Sequence, residues 1–72
     1  MLGTVKFFDA KRGYGFIQCL GVEKDIFVHY SQIKVRGRKE LEIGQEVSFR
    51  LVDGDRGPQA EAVHVTDEAV SD

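Results

Sequence analysis

Residues 12–17 read Arg-Gly-Tyr-Gly-Phe-Ile, and residues 25–30 read Asp-Ile-Phe-Val-His-Tyr. In each stretch, apolar side chains occupy neighbouring positions, which in a β-strand point to opposite faces of the sheet. Burying both faces would require covering helices, and the sequence contains no helical segment of useful length. One face must therefore remain in solvent. We expect that face to present Tyr14, Phe16 and Phe27, surrounded by Lys6, Arg12 and His29.

The aromatic residues are concentrated in the first half of the chain. Six of the seven lie between Phe7 and Tyr30. Exposed rings among cationic side chains are what stacking on unpaired nucleic-acid bases requires. The sequence therefore favours a surface that binds single-stranded nucleic acid.

Short alternating runs elsewhere in the chain predict further β-strands. We expect five strands, at about residues 4–8, 14–20, 25–29, 45–52 and 59–66, and one helical turn at residues 31–33. Five strands in so short a chain bury enough apolar surface by closing on themselves, which also removes most free edges. The predicted fold is all-β, a five-stranded antiparallel barrel.

The same alternation predicts which side chains the barrel encloses. On the second strand, Gly15, Ile17 and Cys19 should point inward. On the last strand, residues 60, 62 and 64 should alternate with residues 61, 63 and 65. The predicted interior consists of Val5, Ile17, Ile26, Val28, Ile33, Val47 and Val63.

Length and composition bound the remaining possibilities. With 72 residues the chain is one small domain, which we assign to residues 1–66, followed by a polar C-terminal tail at residues 67–72. Cys19 is the only cysteine, and the two histidines lie far apart in the sequence, so we expect no metal and no cofactor. Since there is no long apolar stretch and no leader, we expect a soluble, cytoplasmic protein with no membrane partner and no small-molecule substrate.

The charge is unevenly distributed along the chain. Residues 1–39 carry eight Lys or Arg and three acidic residues, whereas residues 40–72 carry two and nine. The net charge of -2 therefore conceals a basic half, which is also the aromatic half. The acidic half keeps a small domain soluble, and it also repels phosphates from the surface that does not bind.

Four stretches are similar, in order and spacing, to the bacterial cold-shock proteins. They are Lys6-Phe7-Phe8-Asp9, residues 12–17, residues 25–30 and Gly57-Pro58-Gln59-Ala60. The resemblance runs from residue 1 to about residue 66 and includes two aromatic ribonucleoprotein motifs at the separation typical of the family. It implies an OB-fold barrel that binds single-stranded RNA or DNA with little sequence preference. It also implies an RNA-chaperone role, in which binding disfavours nucleic-acid secondary structure.

The resemblance further implies roles for individual residues. The stacking residues would be Phe7, Tyr14, Phe16, Phe27, His29 and Tyr30. Near the nucleic-acid backbone would lie Lys6 and Arg12, and at the edges of the site Asp25, Arg56 and Gln59. Three positions depart from the common pattern of the family: Phe7 stands where Trp is frequent, Asp9 where Asn is usual, and Arg38 where Phe is frequent. A guanidinium plane can stack on a base and also attract phosphate, so we include Arg38 in the site.

Other readings of the sequence are less well supported. An RNA-recognition motif shares the first aromatic stretch but needs two helices, and no nucleophile elbow, P-loop or paired carboxylates indicate an enzyme. A small barrel could instead bind a protein partner through an aromatic cage for methylated lysine, but such a cage needs convergent rings and nearby acids. We expect a monomer, with strand exchange through the basic loop at residues 34–39 as the alternative.

Overall fold

The computed structural model describes residues 1–34 and 40–66. Within these ranges the chain forms five strands and one short 3-10 helix. They are β1 (Leu2–Asp9), β2 (Tyr14–Cys19), β3 (Val22–His29), η1 (Tyr30–Gln32), β4 (Glu46–Gly54) and β5 (Gly57–Val65). All five predicted strands are present, and η1 begins one residue before the predicted helical turn. The strands extend into segments that composition assigned to turns, so the β4–β5 hairpin loop contains only Asp55 and Arg56.

The strands close into a barrel in the order β1-β2-β3-β5-β4, and β4 pairs back to β1. All neighbouring pairs are antiparallel except β3 and β5, which run parallel with Phe27 opposite Gln59. The expectation of an antiparallel barrel therefore holds except at this seam. A closed ring with an odd number of strands cannot alternate direction throughout, so a five-stranded barrel must contain at least one parallel pair.

The barrel interior contains the side chains that alternation predicted. The largest fully buried side chains are Val5, Ile17, Ile26, Val28, Ile33, Val47 and Val63. Gly15 is buried as well, whereas Cys19 packs against the core but remains half-buried, and its Sγ donates to the Leu2 carbonyl at 3.3 Å. The core prediction is confirmed, with only partial burial at Cys19.

Strand β5 departs from simple alternation at Ala62. Its φ angle is +51°, and the β4–β5 register shifts between Ser48 and Arg50, so that β5 contains one more residue than β4 over this interval. This is a β-bulge. As a result Val63 points inward, as does Ala60, while Ala62 is exposed. The expectation that residues 60 and 62 share a face was wrong, because alternation cannot reveal an inserted residue.

Candidate nucleic-acid interface

Four rings project from the outer surface of β2 and β3. Tyr14 and Phe16 on β2, and Phe27 and His29 on β3, alternate with buried residues and are themselves half-buried. The strand register places Tyr14 opposite His29, and Phe16 opposite Phe27. Because side chains directly opposite each other on neighbouring strands are in reach of contact, the four rings form one layer.

A bulge in β1 adds a fifth ring to this layer. Val5 is buried, so regular alternation would also direct Phe7 into the barrel. The β1–β2 register instead shifts between Val5 and Phe7, which leaves Lys6 as the extra residue and exposes both Lys6 and Phe7. Phe7 lies opposite Phe16 and is 41% exposed. The bulge therefore supplies the outer face with both a ring and a cation.

We call the five rings Phe7, Tyr14, Phe16, Phe27 and His29 the aromatic face. Tyr14 is at its centre, with ring centroids 6.2 Å from Phe7, 6.0 Å from Phe16 and 6.0 Å from Phe27. The Phe16 and Phe27 rings meet edge to face at 6.0 Å. Lateral contacts of this kind stabilise aromatic pairs and hold each ring in place while part of its surface stays in solvent.

An open groove of about 710 Å³ runs over the aromatic face. Its lining consists of Arg12, Tyr14, Phe16, Asp25, Phe27, His29, Asp55, Arg56 and Gln59. The β4–β5 hairpin loop contributes the far wall, because the parallel pairing of Phe27 with Gln59 sets β5 beside β3. Gln59 in turn packs its amide over Gly54, where a β-carbon would overlap it.

Tyr30 lies at the end of the aromatic face, beside His29. The two ring centroids are 4.4 Å apart, and the Tyr30 ring covers Gly13, where an added β-carbon would overlap it. Gly13 has a φ angle of +75°, which glycine adopts without penalty, and its carbonyl accepts from the Tyr30 N–H at 2.9 Å. Because Gly13 has no side chain, the Tyr30 ring can lie directly against its backbone. Gly13 therefore helps to position this ring of η1.

The His29 imidazole is oriented by Ser31. The Ser31 N–H donates to His29 Nδ1 at 3.3 Å, and the Ser31 Oγ lies 2.8 Å from the same nitrogen. A nitrogen that accepts an N–H cannot itself carry the proton in neutral imidazole. The ring proton of neutral His29 is therefore on Nε2, where it can donate to a ligand.

Two cations beside the aromatic face are held in ion pairs. Lys6 Nζ lies 3.1 Å from Asp25 Oδ2 and 3.3 Å from Oδ1. Arg12 Nε lies 3.9 Å from Asp9 Oδ2, and the other oxygen of Asp9 accepts the backbone N–H of Lys11 at 3.0 Å and of Arg12 at 3.1 Å. Asp9 thus caps the β1–β2 turn in addition to contacting Arg12.

The structure brings most of the predicted site residues together. The groove lining includes Arg12, Tyr14, Phe16, Asp25, Phe27, His29, Arg56 and Gln59. Lys6, Phe7 and Tyr30 adjoin it through the contacts described above, and Arg38 lies outside the described residues. Sequence reasoning missed Asp55, which lines the groove next to Arg56. No local pattern marks Asp55, because its place in the groove depends on how the β4–β5 hairpin is set beside β3.

Residues 1–34 and 40–66 contain neither a metal-binding cluster nor a membrane-spanning helix. No cluster of three or more His, Cys, Asp or Glu side chains there could hold a metal ion. The same residues include no helix long and apolar enough to cross a membrane.

Comparison with known proteins identifies relatives over nearly the whole chain. A family model described as "'Cold-shock' DNA-binding domain" matches residues 1–66. Proteins named cold shock protein CspA from Staphylococcus saprophyticus and Staphylococcus aureus are 59% identical over 58 residues, covering 81% of this chain and 86% of theirs. Among solved structures, a chain described as Drosophila Unr CSD456 superposes with a TM-score of 0.73 at 25% identity, over 89% of this chain. This chain spans 25% of that longer protein.

Proposed function

Because the chain belongs to the cold-shock DNA-binding domain family, we propose that it binds single-stranded RNA and DNA by stacking bases on the aromatic face. The observation that carries the proposal is the layer of five adjacent rings, from Phe7 to His29, which keeps part of its surface in solvent and is bordered by Lys6, Arg12 and Arg56. Bases have π-faces whatever their identity, so such a layer binds them with little sequence preference.

Stacking also supports a role as an RNA chaperone. Each base that stacks on an aromatic side chain contributes about 1–3 kcal/mol. The stacking in a duplex contributes about 0.6–2.2 kcal/mol for each base-pair step. The two ranges overlap, so the protein competes with weak secondary structure and leaves stable duplexes intact. We propose that it keeps RNA strands open in this way, without catalysing a reaction.

Hydrogen bonds at the edges of the groove complement the stacking. The His29 Nε2 proton can donate to a base carbonyl, and the amide of Gln59 offers both a donor and acceptors. Such contacts orient a base without requiring one particular sequence. We propose that His29 and Gln59 align the strand, while Tyr14, Phe16 and Phe27 supply most of the binding free energy.

We propose that residues 1–66 constitute the binding domain and that the protein acts in the cytoplasm as a monomer. Strand exchange between two chains is the alternative, and sedimentation at several concentrations in the absence of nucleic acid distinguishes the two states.

The proposed function is tested by titrating the protein with an oligothymidine, with the matching duplex and with an RNA strand of the same length. We expect both single strands to bind and the duplex to bind much more weakly, because a duplex keeps its base faces stacked internally. Comparable affinity for the duplex would contradict the proposal. A fluorescently quenched RNA hairpin with a short stem should open as protein is added, and failure to open it would contradict the chaperone role alone.

A further inference from the structure

We propose that Asp25 and Asp9 determine the specificity of this interface for exposed bases, because they hold Lys6 and Arg12 in ion pairs that an incoming phosphate must replace. The two cations then contribute little binding free energy to a polyanion without accessible bases. The inference rests on the proposed function and refines it: aromatic rings provide the attraction, and the carboxylates restrict which nucleic acids benefit from it.

The strongest support for this inference is the geometry of the Lys6–Asp25 ion pair. Lys6 lies in β1 and Asp25 in β3, so the pair crosses over β2, the strand that carries Tyr14 and Phe16. Both carboxylate oxygens contact Lys6 Nζ, at 3.1 and 3.3 Å. The Lys6 side chain is 49% exposed and that of Asp25 is 38% exposed. A phosphate can therefore reach Lys6, but only in competition with a carboxylate that is already in place.

Asp9 restrains Arg12 in a different manner. Its carboxylate is fixed by two backbone N–H groups of the β1–β2 turn, so it remains near Arg12 whether or not the two side chains are in contact. The Arg12 side chain is 76% exposed, and its Nε lies 3.9 Å from Asp9 Oδ2. This looser pair places a carboxylate beside Arg12, so a phosphate that binds Arg12 must approach close to it.

The third cation of the groove has no such partner. Among residues 1–34 and 40–66, Arg56 forms no ion pair, although Asp55 lines the same groove. Within residues 1–34 and 40–66, the cations described at the aromatic face are Lys6, Arg12 and Arg56, and the carboxylates beside them are Asp9, Asp25 and Asp55. Two of these three cations are already paired with carboxylates, so among these six residues a phosphate meets an unpaired cation at Arg56, and contact with bases supplies most of the affinity.

The test compares the wild-type protein with the Asp25→Asn variant on three ligands over a range of salt concentrations. The ligands are an oligothymidine, an abasic phosphodiester oligomer of the same length and a matching duplex. We expect Asp25→Asn to raise affinity for the abasic oligomer and the duplex by about three- to fivefold, the upper range for an exposed ion pair. For the single strands, the dependence of log affinity on log salt should steepen by up to about 0.7, the increment for one freed cation.

Two controls separate release of Lys6 from a general change in charge. Glu61→Gln removes one negative charge from the exposed Arg50–Glu61 pair, which spans 2.6 Å between Nη2 and Oε1 on β4 and β5. Glu61→Gln should change the slope of log affinity against log salt far less than Asp25→Asn does. In the double variant Lys6→Gln/Asp25→Asn the gain should disappear, because no cation remains to be released. Equal effects of Glu61→Gln and Asp25→Asn would overturn the inference.

The Asp9→Asn variant provides an independent test. Asparagine can accept the same two N–H groups through Oδ1, so the turn is retained while the charge is lost. We expect a smaller rise in affinity for the abasic oligomer than with Asp25→Asn, because the Asp9–Arg12 pair is longer. If either aspartate variant binds oligothymidine more weakly with an unchanged salt dependence, that carboxylate contacts a base and the inference fails. If the wild-type protein does not bind oligothymidine at all, the proposed function fails instead.

Discussion

The ring of Phe27 lies 6.0 Å from the ring of Tyr14 with an interplanar angle of only 20°. The two residues are on neighbouring strands, one step apart diagonally, since Tyr14 pairs with His29 and Phe27 pairs with Phe16. Two nearly parallel rings at this separation offer platforms of the same orientation. We therefore expect one extended strand to stack bases on both.

Replacing Phe27 by alanine should reduce binding more than folding. The lost stacking should weaken oligothymidine affinity by about 1–3 kcal/mol for each base that used the ring. Because Phe27 is half-buried, the loss of stability should be smaller than the roughly 3–5 kcal/mol expected for a buried phenylalanine. Titration and thermal unfolding of the same preparation measure both quantities.

The neighbouring residue Val28 is the matched control, because it lies on the same strand with its side chain fully buried. Val28→Ala leaves a cavity in the barrel and should lower the unfolding free energy while changing affinity little in the folded fraction. If Phe27→Ala unfolds the protein and Val28→Ala does not, the assignment of Phe27 to the binding surface is incorrect.

Gly13→Ala should impair binding by displacing Tyr30. The φ angle of +75° is unfavourable for alanine, and its β-carbon would overlap the Tyr30 ring. Gly21→Ala is the control, because Gly21 has a φ angle of +89° but no atom within 4 Å of the added β-carbon. Both variants should lose about 1–2 kcal/mol of stability from the backbone, and only Gly13→Ala should also lose affinity for oligothymidine. Equal affinities would mean that Tyr30 takes no part in binding.

The barrel interior could be predicted from the sequence because it depends on local alternation. Val5, Ile17 and Val47 are buried because they lie in regular stretches of their strands, on the face that the closed barrel encloses. The predicted alternation failed in β5, where a register shift interrupts it, whereas the exposure of Phe7 was predicted from the family resemblance and not from alternation. The extra residue at Ala62 reverses which side chains at the end of β5 face the barrel interior. In β1, regular alternation would have directed Phe7 into the core. No local pattern distinguishes the bulged residues Lys6 and Ala62 from their neighbours.

In the candidate site, some residues could be predicted from periodicity and others depend on how the strands are arranged. The rings of β2 and β3 follow from periodicity, because Ile17 and Val28 already occupy the inner face of those strands. The ion pair between Lys6 and Asp25 joins residues from two strands that are not adjacent, so it depends on how β1 and β3 are each registered against β2. The place of Asp55 in the groove likewise depends on how the β4–β5 hairpin leans over β3.

Arg56→Gln should reduce both the affinity for single strands and its dependence on salt. Arg56 lines the groove without an ion pair to another described residue, so it is available to a phosphate, and its loss should flatten the slope of log affinity against log salt by about 0.7. Arg50→Gln removes the same charge from the outer face of β4 and β5 and should leave the slope nearly unchanged. Equal slopes for the two variants would show that Arg56 does not contact the nucleic-acid backbone.

Substitutions at Ala62 should invert the usual preference of a β-strand. At an exposed strand position valine is normally favoured over alanine and glycine. Ala62 has a φ angle of +51°, a conformation that is unfavourable for side chains branched at the β-carbon and free of strain for glycine. We expect Ala62→Gly to match or exceed the wild-type stability by up to about 1 kcal/mol, since relief of strain outweighs the added freedom of the unfolded chain. Ala62→Val should lose about 1 kcal/mol or more. Each kcal/mol corresponds to a shift of roughly 4–8 °C in Tm for a domain of this size.

Position 64 is the control, because His64 is exposed on the same strand and pairs regularly with Ser48. At that position the valine variant should be more stable than the glycine variant. The same order at both positions would exclude the bulge at Ala62, and with it the register that turns Val63 into the core.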